Sequence, residues 1–100
     1  MASENCEYGE ISYYAASLAG RKTASGDVYD PEALTAAHRT LPFGTLVVVD
    51  YAGKSATFRV NDRGPYAKGR LLDVSGRGAR ALGLVKAGHG KGRICRAKSH

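Results

Sequence analysis

The chain has 100 residues, of which 43% are hydrophobic and 13 are glycine, and a formal net charge of +6. That is the size of one turn-rich domain with a single core, and the composition excludes a disordered or collagen-like chain. No run approaches the roughly 18 consecutive apolar residues of a membrane span, and Met1 to Glu4 lacks the charged-then-apolar layout of a signal peptide.

Ile11-Ser12-Tyr13-Tyr14-Ala15 has strand composition, and the Gly-, Ser- and Thr-rich segment from Leu18 to Val28 reads as a loop. A brief helical turn is expected next, with Asp30 as its cap, Pro31 at its first position and Glu32 at its positive end. Leu46 to Asp50 and Ser55 to Val60 are β-rich runs joined by Tyr51-Ala52-Gly53-Lys54, which predicts a hairpin. Leu71 to Val74 predicts another strand. Ser75 can cap a helix through Leu82 that Gly83 ends, although Gly76 and Gly78 would each weaken it by roughly 1 kcal/mol relative to alanine. A last strand is expected between Gly88 and Ala97. Five or six short strands with one or two short helices, in a chain too small for two packed sheets, point to an all-β closed or nearly closed barrel.

Residues 1–50 carry three basic and seven acidic side chains, whereas residues 51–100 carry twelve basic and two acidic ones, Asp62 and Asp73. Such a balance suits a polyanionic partner such as nucleic acid, an anionic cell wall or an acidic membrane surface; it also suits a surface that is merely solvated. Cys6 and Cys95 sit near opposite ends of the chain with no CxxC pair and no Cys/His cluster, so no metal site is expected. The two are either bridged, which implies an oxidising compartment, or buried thiols; a disulfide between them is the expectation.

Asp62 lies in the stretch VNDRGPY, just past a predicted strand and before a Gly-Pro breaker. A scaffold can hold a carboxylate rigidly there as a general acid or base, or the same residue can serve an Asx-type turn. Asp27 and Asp30 flank Val28-Tyr29 in a polar loop; Asp30 has a sufficient structural reason as a cap, and Asp27 has none beyond solubility. His38, between Ala37 and Arg39, is expected to be half buried, and no serine or cysteine has a plausible triad around it. Tyr13 and Tyr14 are adjacent, so in a strand one faces a groove and the other the core.

The stretches GEISYYA, GRKTASGDVYD, LTAAHRTLPFGT, FRVNDRGPY, GRLLDVS and ALG occur in the order and with the spacing of the rare lipoprotein A family of septal-ring lytic transglycosylases. The chain resembles that family from Gly9 to about Ile94. The resemblance implies a six-stranded double-psi β-barrel over residues 9–97, preceded by an N-terminal extension, residues 1–8, that holds Cys6. It further implies action outside the cytoplasm, as a bacterial periplasmic protein, outer-membrane lipoprotein or secreted protein. The implied substrate is peptide-free peptidoglycan glycan, cleaved between N-acetylmuramic acid and N-acetylglucosamine.

By the same resemblance Asp62, His38, Asp27 and Asp30 line the catalytic groove, and Tyr14, Thr23, Arg63 and Tyr66 hold the glycan. Asp27 stands where the family pattern usually has glutamate, and Ala15 where it commonly has glycine. Neither a metal nor an organic cofactor is implied, nor a nucleic-acid partner, and a monomer is expected. Asp62 would protonate the glycosidic oxygen and, with help from Asp27 or His38, take the proton of the attacking 6-hydroxyl. A non-catalytic, expansin-like glycan-binding or wall-loosening module is the alternative, since expansins use the same barrel.

Overall fold

The computed structural model describes residues 6–97. Six strands, β1 (Cys6–Tyr13), β2 (Thr35–Ala37), β3 (Leu46–Tyr51), β4 (Lys54–Asp62), β5 (Arg70–Val74) and β6 (His89–Arg96), close into a barrel in the order β1-β5-β2-β4-β3-β6. Two pairs, β1/β5 and β2/β4, are parallel, and the other four contacts are antiparallel. This is the double-psi β-barrel that the resemblance implies. Among the described residues one helix, α1 (Gly76–Leu82), and one 3-10 turn (Ala16–Leu18) accompany it, and no helix is long and apolar enough to cross a membrane.

The β3/β4 hairpin follows directly from its alternation. Val47 and Val49 point inward opposite Phe58 and Ala56, and with Ile11, Val60, Leu72 and Val74 they form the core. The strands continue to Tyr51 and Lys54, so only Ala52 (φ 50°) and Gly53 (φ 84°) remain in the turn. Two consecutive positive φ values give the primed two-residue turn whose twist matches that of the strands it joins.

Helix α1 begins and ends as expected: Ser75 Oγ accepts from Gly78 N, and Gly83 is left-handed at φ 70°. Gly78 costs helix propensity but serves packing. A Cβ there would lie 2.1 Å from the Phe58 ring, so this is where the helix approaches the barrel closely enough to bury Ala79 and Leu82.

Two expectations need correction. Strand β1 runs from Cys6 to Tyr13 rather than from Ile11 to Ala15, because its polar first half is held by cross-strand pairing to β6, from Cys6↔Cys95 to Ser12↔His89. Residues 6–8, expected in the extension, thus belong to a barrel strand, and residues 1–5 lie outside the described residues. At Pro31 the expected short turn forms with Asp30 as its cap, but it does not continue as helix. Asp30 Oδ1 accepts from Glu32 N at 2.9 Å and its carbonyl from Ala33 N at 3.1 Å, closing a single turn. The chain then enters β2, three wholly buried residues wedged between β4 and β5, where tertiary pairing overrides local preference. Cys6 and Cys95, directly opposite on β1 and β6, are joined by a disulfide.

Candidate active site

One cross-strand row organises the polar end of the barrel. Ser12 on β1 pairs with Asp73 on β5, Asp73 with Ala37 on β2, and Ala37 with Asp62 on β4. Paired residues on neighbouring strands share a face of the sheet, so the two aspartates of the basic half of the chain stand on one face with only the Ala37 methyl between them. Both line a cavity of about 270 Å³, together with Tyr14, Arg63 and Tyr66. A second cavity of about 120 Å³ shares Tyr14, Leu18 and Asp62 with the first and extends the groove toward Arg21, Lys22 and Thr23.

Asp62 is half buried and held by three donors. Its Oδ1 accepts from Ala24 N at 2.8 Å and from Arg63 N at 2.9 Å, and its Oδ2 accepts from the Tyr14 hydroxyl at 2.5 Å. A carboxylate offers about four acceptor sites; Oδ1 is filled, and Oδ2 is the oxygen with capacity left for an incoming group. Tyr14 is fixed in turn by stacking on Tyr29, with ring centroids 4.5 Å apart. Burial first, and then the Asp62 carboxylate, raise the Tyr14 hydroxyl well above the ordinary tyrosine value, so it remains a donor. Tyr13, the other member of the aromatic pair, packs against the core and donates to Val85 O at 3.1 Å.

The remaining candidates divide. Thr23 is buried beneath the second cavity and donates to Asp27 O at 3.0 Å, which shapes the loop that presents Ala24 N to Asp62. Asp27 Oδ2 lies 3.4 Å from both Arg59 Nη1 and Asn61 Nδ2, beside the groove but outside both cavities around Asp62. Asp30 is exposed and caps its own turn. Tyr66 is 75% exposed at the groove rim. The Arg63 guanidinium is committed to the carbonyls of His38 (3.1 Å) and Leu41 (2.8 Å) and lies 4.1 Å over the Phe43 ring.

His38 is not half buried but 4% exposed. It follows Ala37 by one residue, and its ring lines a different cavity, of about 310 Å³, with Cys6, Glu7, Leu41 and Arg96. Nδ1 accepts from Thr40 N and Leu41 N, each at 3.1 Å, so Nε2 carries the proton and donates to Glu7 Oε1 at 2.8 Å. His38 reaches Asp62 through the backbone, its N–H donating to Asp62 O at 3.2 Å.

Comparison with known proteins gives the family. Residues 7–94 match the family model described as lytic transglycolase. The chain belongs to that family. Relatives of this lytic transglycolase domain include the probable endolytic peptidoglycan transglycosylase RlpA of Treponema pallidum, 55% identical over 82 residues, which cover 80% of this chain and 26% of that protein. Another is the endolytic peptidoglycan transglycosylase RlpA of Haemophilus influenzae, 44% identical over 88 residues, covering 86% of this chain and 31% of that protein. The chain thus spans about a quarter to a third of the length of these curated relatives.

Among solved structures the domain is similar to the Streptomyces papain inhibitor, with a TM-score of 0.76 at 20% identity and coverage of 94% of this chain and 96% of that one. It is also similar to the Clavibacter michiganensis expansin, with a TM-score of 0.75 at 18% identity and coverage of 96% and 52% respectively. At such identities these likenesses speak for the fold alone.

The groove of this lytic transglycolase domain has a rigidly held carboxylate, a permanent phenol donor and an aromatic rim. Such a set can exchange a proton with a bound polar ligand and stack against its apolar face. Sequence reasoning passed over Asp73, which shares the cavity with Asp62. The available signal was charge: these are the two acids among residues 51–100.

Proposed function

We propose that this domain is a peptidoglycan lytic transglycosylase that cleaves glycan strands between N-acetylmuramic acid and N-acetylglucosamine, with Asp62 as acid/base. The observation that carries this reading is the Asp62 carboxylate in the groove of a lytic transglycolase domain, its position fixed by Ala24 N, Arg63 N and Tyr14. In this reaction the 6-hydroxyl of N-acetylmuramic acid attacks its own anomeric carbon. The nucleophile is intramolecular and already near its target, so no water needs activation. The glycosidic oxygen gains a proton, the 6-hydroxyl loses one, and a 1,6-anhydro end results. Asp62 Oδ2, which retains acceptor capacity, is positioned to take part in that proton traffic. Tyr14 and Tyr66 offer ring faces and hydroxyls to the sugars, and Thr23 shapes the loop that anchors Asp62.

The names of the RlpA relatives support peptidoglycan as the substrate. The excess positive charge of residues 51–100 suits an anionic wall. An extracytoplasmic site of action agrees with a disulfide-bonded barrel.

The test is mass spectrometry of digested glycan, with peptide-free and peptide-bearing sacculi side by side. Anhydro ends, more abundant from peptide-free strands, are the expected result. Reducing ends would indicate a hydrolase, and binding without cleavage would favour the expansin-like module.

A further inference from the structure

The proposed reaction moves two protons, and the structure offers a partner for Asp62 that is neither Asp27 nor His38. Asp27 points at Arg59 and Asn61 outside the cavities, and the two ring nitrogens of His38 are taken up by Thr40 N, Leu41 N and Glu7. Asp73 instead lies in the Asp62 row, two strands away across Ala37. At the usual spacing of just under 5 Å per strand, the two backbones are about 10 Å apart. That leaves room for the bond between two sugars, with one carboxylate on either side.

We propose that Asp73 is the second catalytic carboxylate of this groove, delivering the proton to the glycosidic oxygen while Asp62 receives that of the 6-hydroxyl. This rests on the lytic reading above. Three features support the division. Asp62 has both oxygens engaged by donors, as befits a group that accepts. Asp73 lines the same cavity and is held through Oδ1 by the Ser12 hydroxyl, which fixes its position and leaves Oδ2 without a protein donor among the described residues. Besides the two aspartates, the ionisable residues lining that cavity are Tyr14, Arg63 and Tyr66, and the guanidinium of Arg63 is occupied by carbonyls.

The step balances. The carboxylic acid of Asp73 gives its proton to the leaving oxygen as the bond from that oxygen to the anomeric carbon breaks. The 6-oxygen bonds to the same carbon, and its proton passes to the Asp62 carboxylate. After product leaves, exchange with solvent returns the proton from Asp62 to Asp73, and nothing is gained or lost over the cycle.

The test compares Asp73→Asn and Asp62→Asn on natural peptide-free glycan and on a synthetic muramyl glycoside with a nitrophenolate leaving group, which departs without protonation. Expected is a loss of at least about 100-fold for both variants on glycan. On the aryl substrate, Asp73→Asn should recover to within about tenfold of wild type while Asp62→Asn stays inactive, and glycan binding should persist in both. If Asp73→Asn melts below the assay temperature, Asp73→Thr, which keeps strand preference and a hydroxyl for Ser12, replaces it with the same expectation.

Wild-type rates on glycan in a folded Asp73 variant would overturn the role of Asp73 while leaving Asp62 and the lytic reading intact. Equal losses on both substrates, in step with a lowered melting temperature, would reduce Asp73 to a tie between β5 and β1. Wild-type protein that makes no anhydro ends would overturn the lytic reading and this role together.

Discussion

Among the described residues, the cavity of about 270 Å³ at Asp62 and the cavity of about 310 Å³ at His38 each pair a carboxylate with a ring. Their hydrogen-bond economy differs. At His38 both ring nitrogens are consumed by protein, one by two backbone amides and the other by Glu7. At Asp62 one oxygen is saturated and the other retains capacity, while the neighbouring Asp73 is held through a single oxygen. The first arrangement fixes a loop; the second leaves a carboxylate oxygen able to take an incoming donor. Successive residues of β2 and its exit, Ala37 and His38, serve different cavities because side chains alternate along an extended chain. Neighbours along a motif can therefore line different cavities.

The comparison breaks most readily on the His38 side, at the disulfide that borders that cavity. Replacing both Cys6 and Cys95 by serine removes a crosslink between residues 89 apart. In the chain-entropy model this costs about 4 to 5 kcal/mol. A denaturant titration should show this loss, while anhydro-product formation per folded molecule stays unchanged. Lost activity in a fully folded double variant would mean that the two cavities are coupled.

A smaller loss is expected for His38→Ala, which strips the acceptor from Thr40 N and Leu41 N. An unmade bond of this kind costs about 1 to 3 kcal/mol when buried; Thr40 is exposed and Leu41 half-buried, so stability should fall by about 1 to 3 kcal/mol. Turnover should fall only as the folded fraction does. Turnover abolished at full folding would move His38 into the chemistry.

Smallest in stability is Tyr14→Phe, which removes one donor from Asp62 and should lower turnover by about tenfold, the equivalent of one hydrogen bond to a charged group. It also sharpens the comparison through pH. Because folding raises the Tyr14 hydroxyl above its unfolded value near 10, the stability tied to its neutral form is fully present below that pH and is lost as pH rises beyond it. Wild-type melting temperatures should therefore fall above about pH 10, and those of Tyr14→Phe should fall less. Parallel pH profiles would contradict the buried donor.

How much of this could be read from the sequence depended on whether a feature is local. The β3/β4 hairpin, the Ser75 cap and the Gly83 stop are encoded within a few residues and stand where local chemistry predicts. Strand β2 was hidden because Thr35-Ala36-Ala37 has no alternation of its own and exists through its neighbours on both sides. The first half of β1 was hidden for the same reason, being polar and held by β6. At the site, the position of Asp62 at a strand end was legible from VNDRGPY. Asp73 was not, because its relation to Asp62 is set by register across two strands, 11 residues away along the chain. The orientation of His38 was likewise beyond sequence, since it turns on which way one side chain leaves the end of β2.

The most direct test of the central claim is Asp62→Asn, assayed on one preparation for melting temperature, glycan pull-down and anhydro-product formation. The substitution keeps the side-chain shape and most of its hydrogen-bonding options but removes the proton transfer. Product formation should fall by at least about 100-fold with folding and binding retained. Undiminished anhydro-product formation by well-folded Asp62→Asn protein would contradict the account.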